Sequence, residues 1–305
     1  MSFDRLIASI RAKQSPIALG LDPQLKYIPE HITAAAFGRA GAGPEGAAAA
    51  FLDFNRGLID ALCDIVPAVK PQAAFYEAWG WQGMRALHDT ICYAREKGMF
   101  VITDAKRGDI GTTMAAYADA HLGVSTLQGA EFAAFPGDAL TVNGYLGSDG
   151  IAPAVSLCQR YDKGIFVLVK TSNPSSGELQ DRLLDDGREV YRAMGDLCEQ
   201  WGAGSRGESG YSCVGAVVGA TYPRQLTQLR QLMPHTFFLV PGYGAQGGGG
   251  ADVAGAFDAA GAGAVVNSSR GLMAAWQKEG CPGEDFAGAA RREALRMRRD
   301  IAEHL

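Results

Sequence analysis

The sequence predicts a (β/α)8 TIM barrel, and three observations carry that expectation. Eight short runs rich in Val, Ile, Leu and Phe recur along the 305 residues, amphipathic stretches separate them, and polar or charged residues gather where the runs end. Alternating strand and helix signals indicate a parallel sheet with right-handed crossovers. Eight such units close into a barrel of about 250 residues, whose chemistry is built at the C-terminal ends of the strands. A doubly wound open sheet is the alternative architecture, and the chain lacks the early GxGxxG turn that would favour it.

The eight runs are 17–22 (IALGLD), 68–72 (AVKPQ), 100–106 (FVITDAK), 139–143 (ALTVN), 165–171 (IFVLVKT), 213–219 (CVGAVVG), 236–241 (TFFLVP) and 264–270 (AVVNSSR). Helical patterns between them include 50–66, 79–97 and 181–200. We read the chain as one barrel domain over 1–305, with a Gly/Ala-rich insertion near 35–50 expected to be a flexible excursion and an Arg-rich, solvated outer helix at 284–305.

Composition narrows the function. Apolar residues make up 47% and charged residues 20%, and 33 acidic against 28 basic side chains give a formal charge of -5. No basic surface for nucleic acid is expected from that balance, and no run approaches the eighteen or more apolar residues of a membrane span. The six cysteines are scattered without CxxC or Cys/His clusters and read as free thiols in a reducing compartment. With an N-terminus that is amphipathic and charged throughout, the expected location is cytoplasmic.

The central stretch is 100–113, FVITDAKRGDIGTT. Four strand-forming residues lead to Asp104, Lys106 and Asp109, and strand alternation puts Asp104 and Lys106 on one face. Buried charges persist only when paired or hydrogen-bonded, so three ionisable groups at a strand end, followed by glycine and threonine, point to catalysis more than to a structural ion pair. On a barrel, Asp22 and Lys70 end neighbouring strands and would join them in an alternating set of lysines and aspartates.

Two further stretches suggest an anion site. Residues 240–250 (VPGYGAQGGGG) offer backbone N–H groups unobstructed by Cβ, and 267–271 (NSSRG) put Arg270 at the end of the eighth run. Barrels that handle phosphate esters bind them with the loops after strands seven and eight. Arg270 can grip phosphate with its fork, and Gln246 can donate a further hydrogen bond. The five histidines show no metal-ligand spacing, and no metal or cofactor is expected.

The strings DAKRGDIGTT, ALGLDP, VKPQAAFYE, VPGYGAQGG and NSSRG together resemble the orotidine 5′-phosphate decarboxylase family, and most closely its longer bacterial (type 2) branch. The resemblance covers about 15–272, although DxKxxD alone is shared with barrel relatives such as hexulose-phosphate synthase. It implies decarboxylation of orotidine 5′-monophosphate to uridine 5′-monophosphate without a cofactor. Lys106 is then the proton donor to C6, Asp104 neighbours the departing carboxylate, Lys70 extends the charge network and Asp22 bonds the ribose. The resemblance also implies a homodimer with shared active sites, in which Asp109, Ile110 and Thr113 act across the interface. Ser172 takes the pyrimidine contact, with Thr171, Ser175 and Ser176 open to the same role, and Gln246 and Arg270 take the phosphate. A sugar-phosphate aldolase or epimerase and a non-catalytic nucleotide-binding barrel are the rival functions.

Overall fold

The structure is a computed structural model that describes residues 2–244 and 248–305. In chain order the strands are β1 (Ile17–Leu21), β2 (Ala68–Pro71), β3 (Phe100–Arg107), a hairpin of β4 (Ser125–Leu127) and β5 (Ala130–Phe132), then β6 (Ala139–Val142), β7 (Gly164–Lys170), β8 (Val214–Val218), β9 (Phe238–Pro241) and β10 (Ala264–Ser268). The helices are α1 (Ser2–Lys13), α2 (Glu30–Ala40), α3 (Pro44–Leu62), α4 (Ala73–Glu77), α5 (Gly80–Glu96), α6 (Gly111–His121), α7 (Ser148–Tyr161), α8 (Val190–Gly202) and α9 (Pro223–Leu232), followed by α10 (Gly250–Ala254), α11 (Arg270–Met273), α12 (Ala275–Glu279) and α13 (Phe286–Ala302).

All eight long strands pair in parallel and close in the order β1-β10-β9-β8-β7-β6-β3-β2. Their legibility in sequence follows from burial on both faces: β1, β8 and β10 are buried at every position, so each reads as a continuous apolar run. One core lies between barrel and helices, around Leu19, Phe54, Leu58, Val101, Val167 and Leu229. A second fills the barrel interior. There α1 seals the end away from the polar strand termini by inserting Phe3, whose ring lies 4.9 Å from that of Phe166 and stacks on Phe237 at 5.3 Å. Burying each such ring contributes about 1.5–3 kcal/mol.

The structure departs from the sequence reading at four places. Residues 35–50 are no flexible excursion: they form the end of α2 and the start of α3, with Ala36, Ala47 and Ala50 buried. Alanine is the strongest helix former, and Gly46 lets the turn at Gly41 approach so closely that a Cβ there would lie 2.0 Å from the Gly41 carbonyl oxygen. The outer helix is only partly solvated, since Phe286, Ala290, Ala294, Met297 and Ile301 of α13 are buried. The exposed hairpin β4–β5 was not anticipated. Finally, β3 does not keep regular alternation to its end, and that irregularity shapes the site.

Candidate active site

From Thr103 to Arg107 β3 advances four residues while its partner β6 advances two, from Leu140 to Val142. The excess is taken up by a bulge in which Lys106 adopts a left-handed backbone, φ 49°. A non-glycine residue there costs about 1–2 kcal/mol. Thr141 on β6 holds the distortion: its hydroxyl accepts from the Lys106 N–H at 2.9 Å and donates to Asp104 Oδ1 at 2.9 Å. Asp104 and Lys106 therefore meet through a pinned bulge, whereas simple alternation along the strand was expected.

Both oxygens of Asp104 are saturated. Oδ1 accepts from Lys106 Nζ at 2.6 Å as well as from Thr141, and Oδ2 accepts from Lys70 Nζ at 2.7 Å and Gln72 Nε2 at 2.9 Å. Burial by itself would push the Asp104 carboxyl up, but the two ammonium groups outweigh it and hold the group well below the usual carboxylate range. Lys70 shows the converse. Burial opposes its charge, yet Asp104 and, at 3.9 Å, Asp22 raise its affinity for the proton above that of an ordinary lysine. The two shifts agree in direction, and the pair stays ionised inside a site where the Lys70 side chain is only 5% exposed. Lys106 differs in being 45% exposed, so its ammonium can reach an incoming molecule.

These groups line a cleft of about 1170 Å³ at the C-terminal ends of the strands. Asp22 is held by Ser269, whose hydroxyl donates to its Oδ1 at 3.1 Å. Gly20 is required for that approach, because a Cβ there would fall 1.9 Å from the Ser269 oxygen. From the turn that follows β7 the cleft receives Thr171 and Ser172, while the competing hydroxyls of Ser175 and Ser176 are not among its walls. Ser176 is buried and accepts from Lys170 instead. Arg270, at the start of α11, faces the same cleft, and its guanidinium makes no ion pair among the described residues. Gln246 lies outside the described residues. Asp109, Ile110 and Thr113 do not line the cleft of their own chain: Asp109 Oδ1 accepts from the Ile110 N–H, and Ile110 and Thr113 are exposed around the N-terminus of α6.

Sequence reasoning missed several groups. In the sequence Gln72 reads only as the polar end of the run 68–72, and Thr141 sits in an apolar run with nothing to mark its hydroxyl. Tyr243, Glu293 and Arg296 also line the cleft, the last two from α13. An Arg-rich helix was legible there, but not the face it turns towards the barrel mouth.

A closed parallel barrel with a lysine–aspartate network and, among the described residues, an arginine without an ion-pair partner at one mouth defines a barrel enzyme for an anionic substrate. Which one is told by similarity. The sequence profile of the orotidine 5′-phosphate decarboxylase / HUMPS family matches residues 17–280, and the chain belongs to that family. An orotidine 5′-phosphate decarboxylase of Rhodopirellula baltica is 47% identical over 275 residues, covering 90% of this chain and 89% of the relative. One from Clostridium acetobutylicum is 38% identical over the full length of both chains. The solved structure of Leishmania donovani OMP decarboxylase superposes with a TM-score of 0.69 at 32% identity, covering 95% of this chain and 98% of the other.

Proposed function

We infer that this chain decarboxylates orotidine 5′-monophosphate to uridine 5′-monophosphate and CO2, the last step of de novo UMP synthesis. The observation that carries the reading is the Asp104 carboxylate bridging the ammonium groups of Lys70 and Lys106 in the cleft that Arg270 also faces. When the C6–carboxylate bond breaks, its electron pair stays on a ring carbon that has no conjugated sink. The Lys106 ammonium, fixed by Asp104, offers positive charge at that carbon and then a proton, so that CO2 leaves and C6 gains hydrogen. Solvent can restore the proton, because half of the Lys106 side chain is accessible.

Asp22 takes the ribose, Ser172 the pyrimidine, and Arg270 with Gln246 the phosphate. Ser172 sits against the strand β8 end, where a Cβ on Gly219 would lie 2.8 Å from its own Cβ, which supports a fixed position for its hydroxyl. The enzyme works as a homodimer in which Asp109, Ile110 and Thr113 complete the neighbouring subunit's site. The exposure of Ile110 and Thr113 outside their own cleft supports this, the apolar Ile110 side chain being 52% exposed. A cytoplasmic location fits a chain in which no described helix is long and apolar enough to cross a membrane. Adding orotidine 5′-monophosphate to the purified protein should cause the loss of absorbance that accompanies its conversion to uridine 5′-monophosphate. No change at micromolar enzyme would overturn the assignment.

A further inference from the structure

The C-terminal helix brings to the cleft a cation that lies beyond the segment matched by the family profile, which ends at residue 280. Along α13, Glu293, Arg296 and Asp300 recur at spacings of three and four and so share one face. Asp300 fastens that face to the chain after β9. It accepts from the Tyr243 hydroxyl and, at 2.8 Å, from the Gly250 N–H. Gly250 lies so close that a Cβ on it would sit 2.2 Å from the Asp300 carbonyl oxygen. α13 also packs against α11, whose first residue is Arg270. The position of Arg296 relative to Arg270 and Tyr243 is thus set by packed backbone, with the Arg296 Nη2 group 3.5 Å from the Tyr243 oxygen.

Within the cleft, Arg296 presents its fork to Glu293. Nε donates to Oε2 at 2.7 Å and Nη2 donates to Oε1 at 2.8 Å. Two parallel bonds of this kind are how a guanidinium holds a carboxylate, and they are also how it holds a phosphate. Glu293 is 14% exposed and Arg296 48%, so the carboxylate is tucked against the protein while the arginine opens to the cleft. A nucleotide phosphate carries about −1.5 to −2 at neutral pH, against −1 for the carboxylate, and charge favours its taking the fork.

We propose that Arg296 is a second phosphate-binding residue and that Glu293 is its built-in competitor, occupying the fork until the phosphate of the nucleotide replaces it. This rests on the reading of Arg270 as a phosphate ligand. The two arginines then hold the phosphate from α11 and α13. Glu293 moderates their affinity and regains the fork when the product departs.

The test is steady-state kinetics and UMP inhibition on the intact protein with Arg270→Ala, Arg296→Ala, Arg296→Lys and Glu293→Gln, alongside melting temperatures. Arg296→Ala should raise KM for orotidine 5′-monophosphate and Ki for UMP about tenfold, with a smaller change in kcat. Arg296→Lys, which keeps the charge but loses the fork, should fall between. Glu293→Gln should lower both constants severalfold, because it frees the fork without removing volume. The kcat/KM deficit of Arg296→Ala should be about tenfold larger with orotidine 5′-monophosphate than with orotidine, which has no phosphate. If Glu293 and Arg296 merely fasten α13, both substitutions lower the melting temperature and leave KM within about twofold, which overturns the proposal. A rise in KM for Glu293→Gln overturns the competitor role. Arg270→Ala reports separately: an unchanged KM in that variant refutes the phosphate grip itself, whereas a raised one beside a silent Arg296→Ala refutes only the present inference.

Discussion

Lys106 stands two residues beyond Asp104 on β3, and its ammonium rests 2.6 Å from that carboxylate while its own backbone turns left-handed, φ 49°. The bulge that produces this contact is held by Thr141, which bonds both the Lys106 N–H and the Asp104 carboxylate. Backbone strain is thereby concentrated at the residue assigned to proton transfer, and a neighbouring strand sustains it.

Removing the Lys106 amine should separate chemistry from folding. Asp104 keeps Lys70, Gln72 and Thr141 as donors, and the Lys106 side chain is nearly half exposed, so Lys106→Ala should change stability by less than about 1 kcal/mol. Turnover should drop by at least about 10⁴-fold, since the proposed mechanism takes both the proton and the fixed positive charge from this amine. Lys106→Gly should be equally inactive yet more stable than the alanine variant by about 1 kcal/mol, because glycine accepts the left-handed turn without strain. Denaturant melts and single-turnover rates check both statements; an active Lys106→Ala enzyme would remove the mechanism.

Asp104→Asn should behave differently, lowering stability as well as activity. Lys70 is buried, and without Asp104 its remaining acidic neighbour among the described residues is Asp22 at 3.9 Å. Removing one partner of a buried pair typically costs about 3–5 kcal/mol. Urea unfolding should show a lower midpoint at unchanged slope, and a loss under about 1 kcal/mol would mean that the pair does not share its burial.

Acid sensitivity should have a component outside the cleft. His121, buried on α6 beside Phe135 with its Nδ1 unpaired, is pulled down to about 4 by burial and by the charge of Arg107. The folded state leaves it neutral between that value and its ordinary 6.5, while the unfolded chain binds a proton there. Stability is therefore full above about pH 6.5 and declines as pH falls towards 4, by up to about 3 kcal/mol. Asp104, whose carboxyl is also depressed, gives up its share only below about 3.8, so the two windows separate. His121→Phe keeps the ring against Phe135 and removes the proton site; its stability between pH 4 and 6.5 should be flatter than that of the parent. Identical profiles would show that His121 is not held neutral.

The barrel and the core of the site were legible because each rests on a local pattern. Strands buried on both faces read as apolar runs, and Asp22, Lys70, Asp104, Lys106 and Arg270 stand where those runs stop. The features that escaped depend on contacts between distant residues. Nothing in AAFGRAGAGPEGAAAA distinguishes a loose loop from α2 and α3 packed through Gly46, since Gly and Ala serve both. The bulge at Lys106 depends on Thr141, 35 residues away, and the place of Arg296 on Tyr243, 53 residues away. Periodicity identifies a buried stripe on α13 but not which of its polar faces turns to the cleft.

Sharing of sites between subunits is open to a mixing experiment. Asp109 and Thr113 flank the start of α6, outside the cleft of their own chain, and Ile110 between them exposes an apolar side chain to solvent. If a second copy covers that surface, each cleft uses Lys106 of one chain and Asp109 of the other. Homodimers of Lys106→Ala and of Asp109→Ala would each be inactive or nearly so. In a mixed dimer one site carries both lesions, whereas the other has Lys106 from the Asp109→Ala chain and Asp109 from the Lys106→Ala chain and is intact. Random reassociation of equal amounts makes half the dimers mixed, each with one working site of two, so activity should recover to about a quarter of the parent's. Denaturing and refolding the two variants together, against each refolded alone, supplies the comparison. Recovery no greater than the sum of the separate preparations would mean that each cleft is complete within one chain, and Asp109 would then need a role on its own surface.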